Sequence, residues 1–125
     1  MGNRLKEILI FEDSDLIRRS LAYYLKKMGY IVYEASNSES ALKTIQENNI
    51  ALYIVDIDMP DKERINFFNA INSNKVTRNV PVIMISSEYN CNIIEEYDNT
   101  GVRSWMINTF DAVKLFSTIK NLIPM

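Results

Sequence analysis

Apolar residues in this chain fall into two alternating patterns. Short unbroken runs, Ile8-Leu9-Ile10-Phe11, Leu52-Tyr53-Ile54-Val55 and Val82-Ile83-Met84-Ile85, are rich in β-branched side chains and bounded by polar residues. Such runs are too short for helices and read as strands covered on both faces. They predict strands over 6–11, 52–56 and 80–85, with weaker ones over 30–35 and 104–107. Between them, apolar residues recur at helical spacing. Ser14 is a candidate N-cap for a helix with Leu16, Ile17, Leu21, Tyr24, Leu25 and Met28 on its inner stripe and Gly29 as its stop. A second helix opens at Ser36 to Ser38 and runs to Asn48 with Ala41, Leu42 and Ile45 inward, and a third covers 63–73 with Ile65, Phe67, Phe68 and Ile71. A weaker helix over 90–99 closes at Gly101, and a last one over 111–122 carries Val113, Leu115, Phe116, Ile119 and Leu122.

Strands that alternate with helices imply a parallel sheet covered on both faces by right-handed crossovers. The expected fold is therefore α/β, a single doubly wound (βα)5 domain over 1–125. Its five-stranded parallel sheet should take the flavodoxin-like order 2-1-3-4-5. No repeat, linker or low-complexity run divides it. In that order the first and third strands are neighbours, so Glu12-Asp13 and Asp56 meet at the carboxyl edge of the sheet, where open α/β folds bind ligands.

Composition narrows the chemistry at that edge. The chain has no histidine, which removes the commonest general base and metal ligand. The single Cys91 has no partner for a disulfide or a zinc site and is read as incidental. A formal net charge of −2 without a basic run argues against direct nucleic-acid binding. No apolar run approaches a membrane span, and the N-terminus lacks the apolar core of a signal peptide, so the expectation is a cytoplasmic protein away from membranes. What remains is carboxylates, hydroxyls and hard cations. Converging carboxylates repel unless a cation compensates, and a site of oxygen donors alone suits Mg²⁺.

These residues carry a resemblance. Ile8-Leu9-Ile10-Phe11-Glu12-Asp13-Ser14-Asp15 with Ile17-Arg18, Gly29-Tyr30, Ala41-Leu42, Val55-Asp56-Ile57-Asp58-Met59-Pro60, Pro81-Val82-Ile83-Met84-Ile85-Ser86, and Gly101 with Phe110-Asp111 resemble, in order and spacing, the receiver domain of two-component response regulators. The resemblance implies a signalling module rather than an enzyme. Asp56 would be the phospho-acceptor, receiving its phosphoryl group from a histidine kinase or phosphotransfer protein. Glu12, Asp13, Asp56 and the backbone carbonyl of Asp58 would hold Mg²⁺. Ser86 takes the switch-hydroxyl position and Trp105 the aromatic switch position, through which a downstream effector protein or domain would be addressed.

Two departures stand out. The family expects Lys-Pro after the fifth strand, where this chain has Asn108-Thr109. Losing that preorganised cation costs on the order of 3 kcal/mol of stabilisation by analogy with other such donors. A non-proline cis bond costs about 2.5 to 4 kcal/mol, so a trans bond and a rearranged turn are expected at Asn108-Thr109. The family's usual glycine four residues past Pro60 is Arg64 here, which predicts a reshaped turn before the third helix. Lys62 and Arg64 are expected to be exposed and solvated; the alternative is that one of them folds back and supplies positive charge. Three functions therefore compete: a phosphorylatable receiver, a pseudo-receiver that acts as a phosphorylation-independent interaction module, and, on Asp56-Ile57-Asp58 alone, a haloacid-dehalogenase-type phosphatase. The last lacks the acid pair it would need after the fourth strand. Both a stand-alone receiver and a piece of a longer regulator fit the sequence.

Overall fold

The computed structural model describes residues 5–86 and 111–124, together with the backbone of 102–107. Five parallel strands form one sheet: β1 (Glu7–Phe11), β2 (Ile31–Ala35), β3 (Leu52–Asp56), β4 (Val82–Ser86) and β5 (Val102–Ile107), in the order β2-β1-β3-β4-β5. Helices α1 (Asp15–Lys27), α2 (Ser38–Glu47), α3 (Asp61–Asn72), the single turn α4 (Lys75–Arg78) and α5 (Ala112–Leu122) lie between and after them. The α/β class and the parallel sheet agree with the pattern of apolar runs. The expected helix over 90–99 lies outside the described residues, and α4 was not foreseen.

Local sequence explains the boundaries. Ser14 caps α1 by accepting from the Ile17 N–H at 3.3 Å, and Asn37 caps α2 by accepting from the Ser40 N–H at 2.8 Å. Gly29 ends α1 with φ 99°, a left-handed conformation that costs glycine nothing. Asp111 caps α5 through the Val113 N–H at 2.8 Å. No side chain caps α3, which starts directly after Pro60.

The two faces of the sheet differ in kind. Under α2 and α3 the core carries an aromatic cluster among its aliphatic side chains: Phe67 lies 5.0 Å from Phe11 and 5.5 Å from Tyr53, ring centre to ring centre, and Phe68 lies 5.4 Å from Phe67. Under α1 and α5 it is mainly aliphatic, with Ile8, Ile10, Leu21, Leu25, Ile54, Ile83, Leu115 and Ile119. The helical stripes need correction here. Leu16, Tyr24, Ile65 and Val113, expected inward, are exposed. On α1 the buried face is instead Arg18, Leu21, Ala22 and Leu25, because an arginine reaching over the end of the sheet takes a place that periodicity assigns to an apolar side chain.

Candidate functional site

Strands β1 and β3 pair in parallel, with Phe11 opposite Val55, so the residues that follow them emerge side by side. The edge strand β2 fixes the exit of β1 through the Glu12 N–H, which donates to the Ala35 carbonyl at 3.0 Å. The sequence places acids at both exits. Glu12, Asp13 and Asp56 each contribute a carboxylate oxygen to a cluster in which all three lie within 4.8 Å of one another. Glu12 and Asp56 are buried and Asp13 is exposed.

Burial decides the electrostatics. Desolvation, a hydrogen bond to Asp56 and the negative charges of Asp56 and Asp13 push the Glu12 carboxyl up to about 9. Burial also raises Asp56, while hydrogen bonds from Glu12 and from the Asp58 N–H pull the other way. The proton of the pair therefore sits on Glu12, and Asp56 is the acceptor. Glu12 Oε2 is buried without a hydrogen-bond partner among the described residues. An orphaned buried oxygen beside two further carboxylates is a donor set that a hard dication completes, since the cation takes the place of the proton. These residues fit Mg²⁺.

The turn after β3 is tied down at every step. The Ile57 N–H donates to the Ile85 carbonyl at 3.0 Å, which locks the turn to β4. The Asp58 N–H donates to Asp56 Oδ1 at 2.8 Å, while the Asp58 side chain is exposed. Ser86 ends β4 and is buried beside this turn, one residue beyond the Asp56–Ile85 register pair. The backbone of Trp105 pairs with Met84 in β5; its side chain, like Asn108 and Thr109, lies outside the described residues.

Arg64 overturns the expectation of a solvated side chain. It is buried, and its Nη1 donates to the Ile57 carbonyl at 2.9 Å while Nη2 donates to Asp61 Oδ1 at 2.7 Å. No described residue other than glycine has positive φ, and α3 starts at Asp61, directly after Pro60. Lys62 is exposed. On the neighbouring strand end, Arg18 is built the same way: Nη1 donates to the Glu12 carbonyl at 3.0 Å, Nη2 to Asp15 Oδ1 at 2.6 Å and Nε to Glu34 Oε1 at 3.3 Å. The signal for both was in the sequence, because each helix opens Asp-x-x-Arg, as Asp15-Leu16-Ile17-Arg18 and Asp61-Lys62-Glu63-Arg64. The pairing of those residues is visible at that spacing; their burial over a strand end is not.

A family model described as response regulator receiver domain matches residues 8–120. The transcriptional regulatory protein SrrA of Staphylococcus aureus is 30% identical over 118 residues, which cover 94% of this chain and 47% of that protein. The chain thus spans about half the length of the curated relatives it matches. Among solved structures, the chemotaxis protein CheY4 of Vibrio cholerae superposes with a TM-score of 0.88 at 23% identity, covering 96% of this chain and 100% of that one. A CheY-like receiver domain protein from Methanospirillum hungatei superposes with a TM-score of 0.83 at 24% identity over 94% and 93%. At those identities the structures speak to the fold alone.

Proposed function

Since the chain belongs to the response regulator receiver domain family, we propose that it accepts a phosphoryl group on Asp56 from a partner histidine kinase or phosphotransfer protein, in a Mg²⁺-dependent step, and thereby switches a face that an effector reads. The observation that carries this reading is the convergence of Glu12, Asp13 and buried Asp56 at one sheet edge. In the transfer, an Asp56 carboxylate oxygen forms a bond to phosphorus as the donor's nitrogen–phosphorus bond breaks, and the bonding pair leaves with the imidazole. Glu12, Asp13, Asp56 and the Asp58 carbonyl would hold Mg²⁺, whose charge offsets that of the equatorial phosphoryl oxygens. The Ser86 hydroxyl would donate to one of those oxygens and couple the end of β4 to the phosphorylated state, with Trp105 as the aromatic that follows it. Asn108 would supply a neutral donor where the family has a lysine.

The absence of direct nucleic-acid contact is proposed for these 125 residues, with net charge −2; SrrA's remaining half lies outside the match. No helix among the described residues is long and apolar enough to cross a membrane. The cytoplasm is the compartment in which a kinase-fed receiver of this kind would work.

Acetyl phosphate with Mg²⁺, read by intact mass, tests the reading. Wild-type protein should gain one phosphoryl group, which should not form when a chelator is present from the start or in Asp56→Asn, and beryllofluoride should bind in its place. The replacement of Lys-Pro by Asn108-Thr109 favours the pseudo-receiver as the second reading. A wild-type protein that takes neither phosphoryl group nor beryllofluoride at millimolar Mg²⁺ would establish it.

A further inference from the structure

The peptide unit that joins Ile57 to Asp58 is gripped from both sides. Its N–H donates to Asp56 Oδ1 at 2.8 Å, and its carbonyl accepts from Arg64 Nη1 at 2.9 Å. The far side of the guanidinium is fixed by Asp61 Oδ1 at 2.7 Å. The Arg64 side chain is 8% exposed, whereas that of Asp61 is 80% exposed. An ion pair with so exposed a partner contributes little, and burying a guanidinium is costly. Of these two contacts, the one to the buried Ile57 carbonyl is the one that accounts for a buried guanidinium.

We propose that Arg64 is a positioning residue of the phospho-acceptor site: through the Ile57 carbonyl it fixes and polarises the peptide whose N–H is aimed at the Asp56 carboxylate. The inference rests on the phospho-acceptor reading and extends it to a residue outside the acid cluster. A peptide held at its carbonyl by a cation is a stronger donor at its N–H, because bonds in a chain polarise one another. A donor fixed before the reaction holds the Asp56 carboxylate in one orientation, so no reorganisation is needed for its free oxygen to meet phosphorus. The forked geometry matters, since one planar group must meet the Ile57 carbonyl and Asp61 together; a lysine ammonium has the charge but not the fork. Arg64 therefore acts on Asp56 through a backbone amide and need not touch the phosphoryl group.

Three variants decide it. Arg64→Met keeps a long apolar stem in the same groove, Arg64→Lys keeps the charge, and Asp61→Asn loosens the guanidinium from its far side. With Mg²⁺ and acetyl phosphate, the maximal rate of adduct formation should fall about tenfold in Arg64→Met with the apparent KM for the donor within about twofold. Arg64→Lys should recover less than half of that loss. In the metal-free protein the Asp58 amide proton resonance should move upfield in Arg64→Met and lose protection from exchange, a signature that general loosening of the fold does not confine to one amide. Should Arg64→Met fail to fold, Asp61→Asn carries the same prediction at about threefold. A maximal rate within twofold of wild type, full recovery in Arg64→Lys, or an unmoved Asp58 amide overturns the proposal. Failure of the wild-type protein to take a phosphoryl group is the separate failure of the functional reading, and the Asp58 amide then decides the role of Arg64 by itself.

Discussion

The turn from β1 into α1 and the turn from β3 into α3 each deliver a buried carboxylate to the same point, and in each an arginine reaches back from the fourth residue of the helix to a turn carbonyl. They differ in what else holds them. At β1 the helix has a side-chain cap in Ser14, and Arg18 has a second carboxylate partner in Glu34. At β3 the helix has no side-chain cap, and below it lies Phe67, fully buried between Phe11 and Tyr53. The turn after β1 is held by polar contacts, chief among them the buried Arg18 on the Glu12 carbonyl. The turn after β3 has polar contacts too, the Ile57 N–H on the Ile85 carbonyl and the buried Arg64 on the Ile57 carbonyl among them, and adds to them the packing of Phe67. Under the proposed function, the strand end that presents Asp56 takes its stiffness from the core and its fine aim from Arg64.

The largest expected effect tests that division. Phe67→Ala removes a ring that is 0% exposed and leaves a cavity against Phe11 and Tyr53, so it should cost about 3 to 5 kcal/mol in urea unfolding. The remaining protein should be slow to accept a phosphoryl group even where it is still folded, because α3 carries Arg64. A loss below about 1 kcal/mol would mean that the turn after β3 does not depend on the aromatic cluster.

How far the sequence foretold these turns depends on the kind of contact. Continuous apolar runs placed β1, β3 and β4 within two residues, and Glu12, Asp13 and Asp56 followed from where those runs stop. Parallel pairing of β1 with β3 then brought the acids together without any knowledge of side-chain conformation. Arg64 departs from expectation because a long cation at a helical position is normally solvated. Its burial depends on a carbonyl seven residues earlier that turns toward it only in three dimensions. Leu16 and Tyr24 failed for the converse reason: they share the period of the buried stripe but sit at its margin, where Arg18 has the inner place. The one-turn helix α4 rests on Asn74, whose side chain accepts from the Val76 N–H at 2.8 Å, and four residues are too few for periodicity to register.

The two carboxylates also differ in the proton they keep. In metal-free protein the Glu12 carboxyl is raised from its ordinary 4.5 to about 9. Between those values the folded state binds a proton that the unfolded state has released, so stability falls as pH rises through this window, by at most about 1.4 kcal/mol per unit. Asp56, raised by burial, adds in the same direction. Asp15 and Glu63 are lowered, by hydrogen bonds from Arg18 and Ser38, so their contributions are lost only as pH falls through the acid range. Urea midpoints taken with a chelator should therefore decline from pH 5.5 to 8. Saturating Mg²⁺ should flatten the decline, because metal displaces the proton, and Mg²⁺ affinity should rise over the same interval. Glu12→Gln should remove most of the slope. An equal slope in that variant would assign the proton elsewhere.

The smallest effect separates stability from alignment. Ser14→Ala deletes the cap of α1, a bond of 3.3 Å to the Ile17 N–H, and should cost about 0.5 to 1 kcal/mol by urea unfolding. It leaves Arg18 on the Glu12 carbonyl and touches nothing that holds Asp56, so phosphoryl uptake from acetyl phosphate should stay within about twofold of wild type. Arg64→Met predicts the reverse balance, a modest stability change with a slow reaction. If Ser14→Ala slows uptake as far as Arg64→Met does, the two turns form one mechanical unit. The separate aiming of Asp56 by the Ile57–Asp58 peptide would then lose its basis, because loosening either helix start would disturb the acceptor equally.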